Sequence, residues 1–349
     1  MSRPLVLVTG ATGHIGFAIL ALLLKKGYRT RVASRKLSSA EKLKDLPSLE
    51  PYVNSISFIE VPDFTADGAF DEAVKDVDYI QHIASPIPDG ATSGEISDAL
   101  SEFINPAVKG NLAILQAATK SPSVKRIIIT SSTEILDPKE GATTMGPDDV
   151  PGPVPLDEVK GTTNQHFAYR QSKRHSGAAV ETFIKEKKPH FDVLSILPSF
   201  VQGRNEPVTT IHDLLSRPTS NYVMIDQVLG KKSERPSPID LVFLDDVALT
   251  HVAAMESRKV KSGGRFIAAY TRPIPWEEVD PIVERLFPEE VKSGLLPLGG
   301  KHPGVGRAKD GFDSSKTTEI LGVEFRGLED MVQSLIGQLV ELKKKDKEN

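Results

Sequence analysis

Along the first two hundred residues, short continuous apolar runs alternate with stretches of helical periodicity. Pro4–Thr9 is a β-branched and leucine run of the kind that builds a parallel strand buried on both faces. The almost wholly apolar Ile15–Leu24 follows as a helix, closed by Lys25-Lys26-Gly27, a cationic last turn and a C-cap glycine. The rhythm repeats. Tyr28–Ala33, Ile56–Glu60, Asp78–His82, Val124–Thr130 and Phe191–Leu197 read as strands. Ser39–Leu46, Phe70–Lys75, Glu95–Ala118 (broken near Pro106) and Phe167–Lys187 read as the helices between them. Strands alternating with helices predict an α/β fold with a parallel, doubly wound sheet.

Two stretches leave this rhythm. Residues 134–165 hold several Gly and Pro with little periodicity and predict a long surface excursion, the kind of loop that carries function. Past Pro198 prolines multiply, although Ile239–Leu244 and Gly264–Ala269 still read as strands and Leu328–Leu342 as an amphipathic helix. The expected division is a dinucleotide-binding domain of residues 1–203 plus 239–270 and a smaller lobe of 204–238 plus 271–342. Residues 343–349 are expected to be a disordered tail.

Composition narrows the class. The chain has 349 residues, 39% hydrophobic and 26% charged, ordinary for a globular protein. A net charge of −4 gives no reason to expect nucleic acid. There is no cysteine, which excludes disulfides and thiol chemistry. No metal site is expected, since His166 and His175 lie on different helical faces. The first strand starts too early for a signal peptide and Leu20–Leu24 is too short to span a bilayer, so a cytoplasmic location is expected.

Gly10, Gly13 and Gly16 recur at three-residue spacing between the first strand and the first helix. In that context Gly10 permits the tight turn, Gly13 the approach of a pyrophosphate, and Gly16 close packing of helix on strand. The helix N-terminus offers N–H groups and positive potential to the anion. The second strand ends in Ser34-Arg35-Lys36, with no Asp or Glu before Glu41, which favours the 2′-phosphate of NADP over the free ribose of NAD.

Tyr169 and Lys173 stand at i and i+4 on one helix face. A phenol titrates near 10, and a nearby ammonium lowers that value, so the pair suits proton transfer to a carbonyl oxygen. Ser131-Ser132 ends the fifth strand, on the edge where open α/β sheets bind ligands. A serine there can polarise the carbonyl, and the two also fit a plain capping pair.

The chain resembles the extended short-chain dehydrogenase/reductases. More narrowly, it is similar to the branch of dihydroflavonol reductases, cinnamoyl-CoA reductases and the yeast and fungal NADPH-dependent ketone and aldehyde reductases. The resemblance is carried by VTGATGHIG (8–16), ASRK (33–36), the stretch 63–86, NPAVKGNLAILQAA (105–118), TSS (130–132), YRQSK (169–173), PSFVQG (198–203) and the segments 239–255 and 314–332. It implies a Rossmann domain with a smaller C-terminal substrate-binding lobe. The catalytic set it implies is Ser132 (Ser131 the fallback), Tyr169 and Lys173. For NADPH/NADP+ it implies Gly10, Thr12, Gly13, His14, Ile15 and Gly16 at the pyrophosphate, and Arg35 with Lys36 at the 2′-phosphate. Asp63 and Phe64 match the adenine site. Ala84, Ser85 and Pro86, with Tyr169, Lys173, Pro198 and Val201, match the ribose and nicotinamide contacts.

The expected activity is NADPH-dependent reduction of a small-molecule aldehyde or ketone by a monomer or homodimer. Apolar candidates for the cleft (Ile135, Leu136, Phe167 and Phe200) point to a hydrophobic substrate. Two other readings stay open: a sugar-nucleotide epimerase or dehydratase with bound NAD, and a non-catalytic NADP-binding sensor. The family's usual proline after the PSFVQG glycine is missing here.

Overall fold

The computed structural model describes residues 3–85, 96–216 and 219–348. Its main sheet has seven strands: β1 (Leu5–Thr9), β2 (Arg29–Ser34), β3 (Ile56–Glu60), β4 (Tyr79–His82), β5 (Arg126–Thr130), β6 (Asp192–Pro198) and an edge strand, Arg265–Ala268. From one edge the order is β3, β2, β1, β4, β5, β6 and then Arg265–Ala268. Neighbours from β3 to β6 run parallel. This is the expected Rossmann arrangement. Chain order reverses between β1 and β4, and at such a switch point two connections leave in opposite directions and open a crevice at the strands' carboxyl ends. All five residues of β1 are buried, as a central strand covered by helices on both faces requires.

The chain forms two compact units, Met1–Leu136 with Val150–Leu197 and Ala248–Phe266, and Asp137–Asp149 with Pro198–Val247 and Ile267–Asn349. The first is built on the sheet. Its core packs Leu5, Leu7, Ile80 and Ile127 against Ile114 and Leu115 of the helix Asn105–Thr119 and Val180 and Phe183 of the helix Gln165–Lys187. In the second, the helices Tyr222–Val228, Val279–Leu286 and Leu328–Glu348 surround the buried Trp276.

Several elements differ from expectation. Phe70–Lys75 forms turns, not a helix, although Phe70, Ala73 and Val74 still anchor the core. Pro106 does not break its helix. It stands in the first turn of Asn105–Thr119, where a missing N–H costs nothing, and a π turn over Leu100–Ile104 leads into it. Of the two late strands, only Arg265–Ala268 joins the main sheet. Leu241–Phe243 pairs instead with Phe200–Gln202 in a separate two-stranded ladder. The expected disordered tail is helical through Glu348, because Lys343 donates to the Leu295 carbonyl at 2.7 Å and Lys344 to Glu290 at 2.7 Å. The excursion 134–165 is divided. Residues 137–149 pack with 308–313 through Met145 N–H to the Gly311 carbonyl and Asp313 N–H to the Met145 carbonyl.

Candidate active site

The site of the first unit begins where β1 ends. Gly10 turns the chain in the left-handed region (φ +73°), and a Cβ there would lie 2.8 Å from the backbone nitrogen of Ala84, at the end of the neighbouring β4. Gly16 is needed for another reason: its Cβ would sit 2.1 Å from the Gly10 carbonyl oxygen. Gly13 differs from both. Its φ is −97°, and a Cβ would come no closer than 3.4 Å to the chain, so nothing inside the fold requires glycine there. Thr12 and Gly13 are exposed, with His14 and Ile15 half-buried behind them. The helix His14–Lys25 starts with no side-chain cap and no acidic residue in its first turn, so its N–H groups keep their positive potential for an anion.

Thr9, which sequence reasoning did not single out, fixes this crevice. Its hydroxyl accepts from the backbone N–H groups of Ile83 and Ala84 at 3.1 Å each and bonds Nδ1 of His82 at 3.0 Å. With both lone pairs engaged, the hydroxyl proton goes to Nδ1, and His82 is the Nε2–H tautomer. Burial holds the imidazole neutral, with its pKa pushed down to about 4. Arg35 and Lys36 stand exposed just past β2. Glu60, the carboxylate at the end of the adjacent β3, accepts the Leu37 N–H at 3.0 Å. Asp63 caps its own turn, accepting from Thr65 N–H at 2.8 Å and its hydroxyl at 2.7 Å. The Phe64 ring packs on Phe70 with centroids 5.0 Å apart.

Past β5, Ser132 starts the 3₁₀ turn Thr133–Ile135 and its hydroxyl accepts the Glu134 N–H at 3.2 Å. The same side chain stands within reach of the Tyr169 phenol and favours its ionised form. Ser131 instead borders a cavity with Ala84, Ser85, Asn111 and Lys173. One helical turn past Tyr169, Lys173 is buried and donates to Ser85 Oγ at 3.1 Å, with Nζ 5.8 Å from the centre of the tyrosine ring. Burial brings the ammonium down to about 8. Burial also pushes the Tyr169 phenol up to about 12, against the influence of Ser132 and with Glu134 adding to the rise. The expected downward shift is therefore absent: desolvation has the largest influence on the phenol.

Ile135 and Leu136 are buried, 4% and 0% exposed; Leu136 serves the core, while Ile135 also borders a cavity with Ser131, Pro151 and Arg174. Phe167 is half-buried and packs in a cluster with Tyr169, Phe103 and Val159. Pro198 ends β6 and Val201 lies in the ladder strand Phe200–Gln202; both belong to the second unit, where Phe200 meets Tyr222 and Trp276 edge-on. Pro86 lies outside the described residues. Among the described residues no helix is long and apolar enough to cross a membrane.

A glycine-rich turn at the sheet's switch point, with a serine, a tyrosine and a lysine around the neighbouring strand ends, defines a nucleotide-binding α/β protein. Residues 6–269 match the NAD dependent epimerase/dehydratase family, and the chain belongs to it. It is 36% identical to ketoreductase CTB6 of Cercospora nicotianae over 99% of this chain and 98% of that one. It is 30% identical to ketoreductase sphI of Aspergillus fumigatus over 98% and 99%. Among solved structures, yeast methylglyoxal/isovaleraldehyde reductase Gre2 complexed with NADPH superposes with a TM-score of 0.80 at 25% identity, covering 98% of this chain and 99% of that one.

Proposed function

We propose that the protein reduces an aldehyde or ketone to the alcohol with NADPH, using Tyr169 as proton donor, Ser132 to polarise the carbonyl and Lys173 to hold the local charge and hydrogen bonds. The observation that carries the reading is the placing of Tyr169 within reach of the Ser132 side chain and one helical turn from the buried Lys173, which donates to Ser85 beside Ala84, at the end of the strand that Gly10 approaches. The residues fit the dinucleotide. Gly13 leaves backbone space that the fold does not use, the helix N-terminus is uncapped, and Arg35 and Lys36 are exposed for the 2′-phosphate. NADPH supplies the hydride when bound.

Tyr169 and Ser132 act on the substrate oxygen. As negative charge grows there, the Ser132 hydroxyl strengthens its hydrogen bond and the Tyr169 phenol gives up its proton. A phenol raised to about 12 stays protonated throughout the neutral range. It is therefore in the state that reduction needs. Phe167, half-buried in the cluster that holds Tyr169, supports a hydrophobic substrate.

The test is consumption of NADPH, with NADH in parallel, against aldehydes, diketones and aryl ketones. Turnover restricted to NADPH is the expected result. Tightly retained NAD without carbonyl turnover would overturn the reading in favour of an epimerase or dehydratase. Arg35→Ser should raise the KM for NADPH roughly tenfold by removing a charge-assisted bond to the 2′-phosphate, leaving the KM for NADH unchanged. Titration of Lys173 gives a second expectation. Below about pH 8 it is an ammonium and above it neutral. The kcat/KM for NADPH, which reports the free enzyme, should therefore fall as pH rises through 8. A flat profile from pH 7 to 9.5 would show that this charge is not used.

A further inference from the structure

The helix that carries Tyr169 and Lys173 also carries two arginines whose side chains return to the serine turn. Arg170 donates from Nε to the Glu134 carbonyl at 3.0 Å and from Nη2 to the Leu136 carbonyl at 3.0 Å. Arg174, one helical turn on, donates from Nε to the Ile135 carbonyl at 3.1 Å, in a buried setting. Three consecutive carbonyls of the turn after β5 are thus held by guanidinium groups at i+1 and i+5 from the tyrosine. That turn is short. Ser132 starts it, and its hydroxyl is oriented by the Glu134 N–H. Without the arginines, the turn's own closing bonds are Ile135 N–H to the Ser132 carbonyl at 3.3 Å and Leu136 N–H to the Thr133 carbonyl at 3.0 Å.

From this geometry we infer that Arg170 and Arg174 are positioning residues, a two-point clamp that fixes the Ser132 hydroxyl against the Tyr169 phenol. The inference rests on the proposed reductase reading. The planar guanidinium suits the task, because Arg170 spans two carbonyls two residues apart with rigidly spaced donors. A lysine at 170 can reach one carbonyl at a time. The clamp makes the Ser–Tyr separation a property of one helix and not of loop packing, and an active-site misplacement of about 1 Å can cost about 100-fold in rate.

The experiment uses the full chain with Arg170→Met, Arg170→Lys and Arg174→Lys. It reads backbone hydrogen exchange over 133–136, NADPH affinity by fluorescence, and steady-state reduction. Arg170→Met should speed exchange over 133–136 while the helix 165–187 stays protected. Its kcat should drop roughly 10- to 100-fold, with NADPH affinity within about twofold. Arg170→Lys should recover part of the rate, and Arg174→Lys should fall between wild type and Arg170→Met. Unchanged exchange in Arg170→Met overturns the clamp whatever the turnover. So does faster exchange with kcat intact, or a loss of kcat that only follows a loss of NADPH binding. Failure of the reductase reading looks different: the wild type would then show no NADPH-dependent carbonyl turnover, and exchange over 133–136 would still decide whether the arginines hold the turn.

Discussion

Tyr169→Phe is expected to lower kcat for carbonyl reduction by roughly 1,000-fold, within the range a positioned general acid contributes. The ring stays in its cluster with Phe103, Val159 and Ala168, so folding and NADPH binding should be nearly unchanged. Only the hydroxyl and its interaction with Ser132 are lost. That combination separates chemistry from architecture. Stopped-flow hydride transfer together with an NADPH fluorescence titration would check it, and a variant that kept most of its turnover would remove Tyr169 from the mechanism.

The second large effect concerns the glycines, which are not equivalent. Gly16→Ala places a methyl 2.1 Å from the Gly10 carbonyl oxygen and 3.0 Å from the Ala11 Cα, both backbone atoms with no flexible end to give way. Relief requires the first helix to move off β1, at the buried centre of the sheet. We expect a stability loss of about 3 kcal/mol or more, at the upper end for overpacking, together with loss of dinucleotide binding. Gly13→Ala meets nothing closer than 3.4 Å and should melt like the wild type. Its defect should appear only in weaker NADPH binding. Thermal melts beside NADPH titrations of the two variants test the distinction, and equal melting temperatures would contradict it.

The sheet was legible because its strands are continuous apolar runs, and β1, buried at every position, is the strongest of them. The glycine turn was legible for the same reason, since its spacing is local to one strand and one helix. Features set by long-range contacts were not. Thr9 reads as the last residue of a strand, and only the fold brings its hydroxyl to Ile83 and Ala84, more than seventy positions away. Arg170 and Arg174 look like solvated charges on a helix, and nothing local shows that their partners are the carbonyls of 134–136. Ile135 and Leu136 misled in the other direction. Apolar residues in an irregular stretch suggest a cleft lining, but tertiary packing buries both. Phe70–Lys75 shows that periodicity marks a buried face without guaranteeing a regular helix. The Tyr169 phenol is the remaining case, because its pKa depends on how much water the fold removes, and the i, i+4 spacing of its lysine says nothing about that.

The way residues 137–149 are held has a consequence for variation. Met145 and Thr143 bond to Asp310, Gly311 and Asp313 through main-chain groups, and Pro138–Thr144 are exposed. Main-chain bonds are indifferent to side-chain identity. This segment can therefore accumulate substitutions while keeping its path, unlike the turn after β5, where two particular arginines are required. A randomised library over 138–144 that keeps Gly141, whose φ of +75° favours glycine, and Lys139, which pairs with Asp149, should retain a high fraction of folded members, which makes this span the natural place to diversify the protein without disturbing its scaffold.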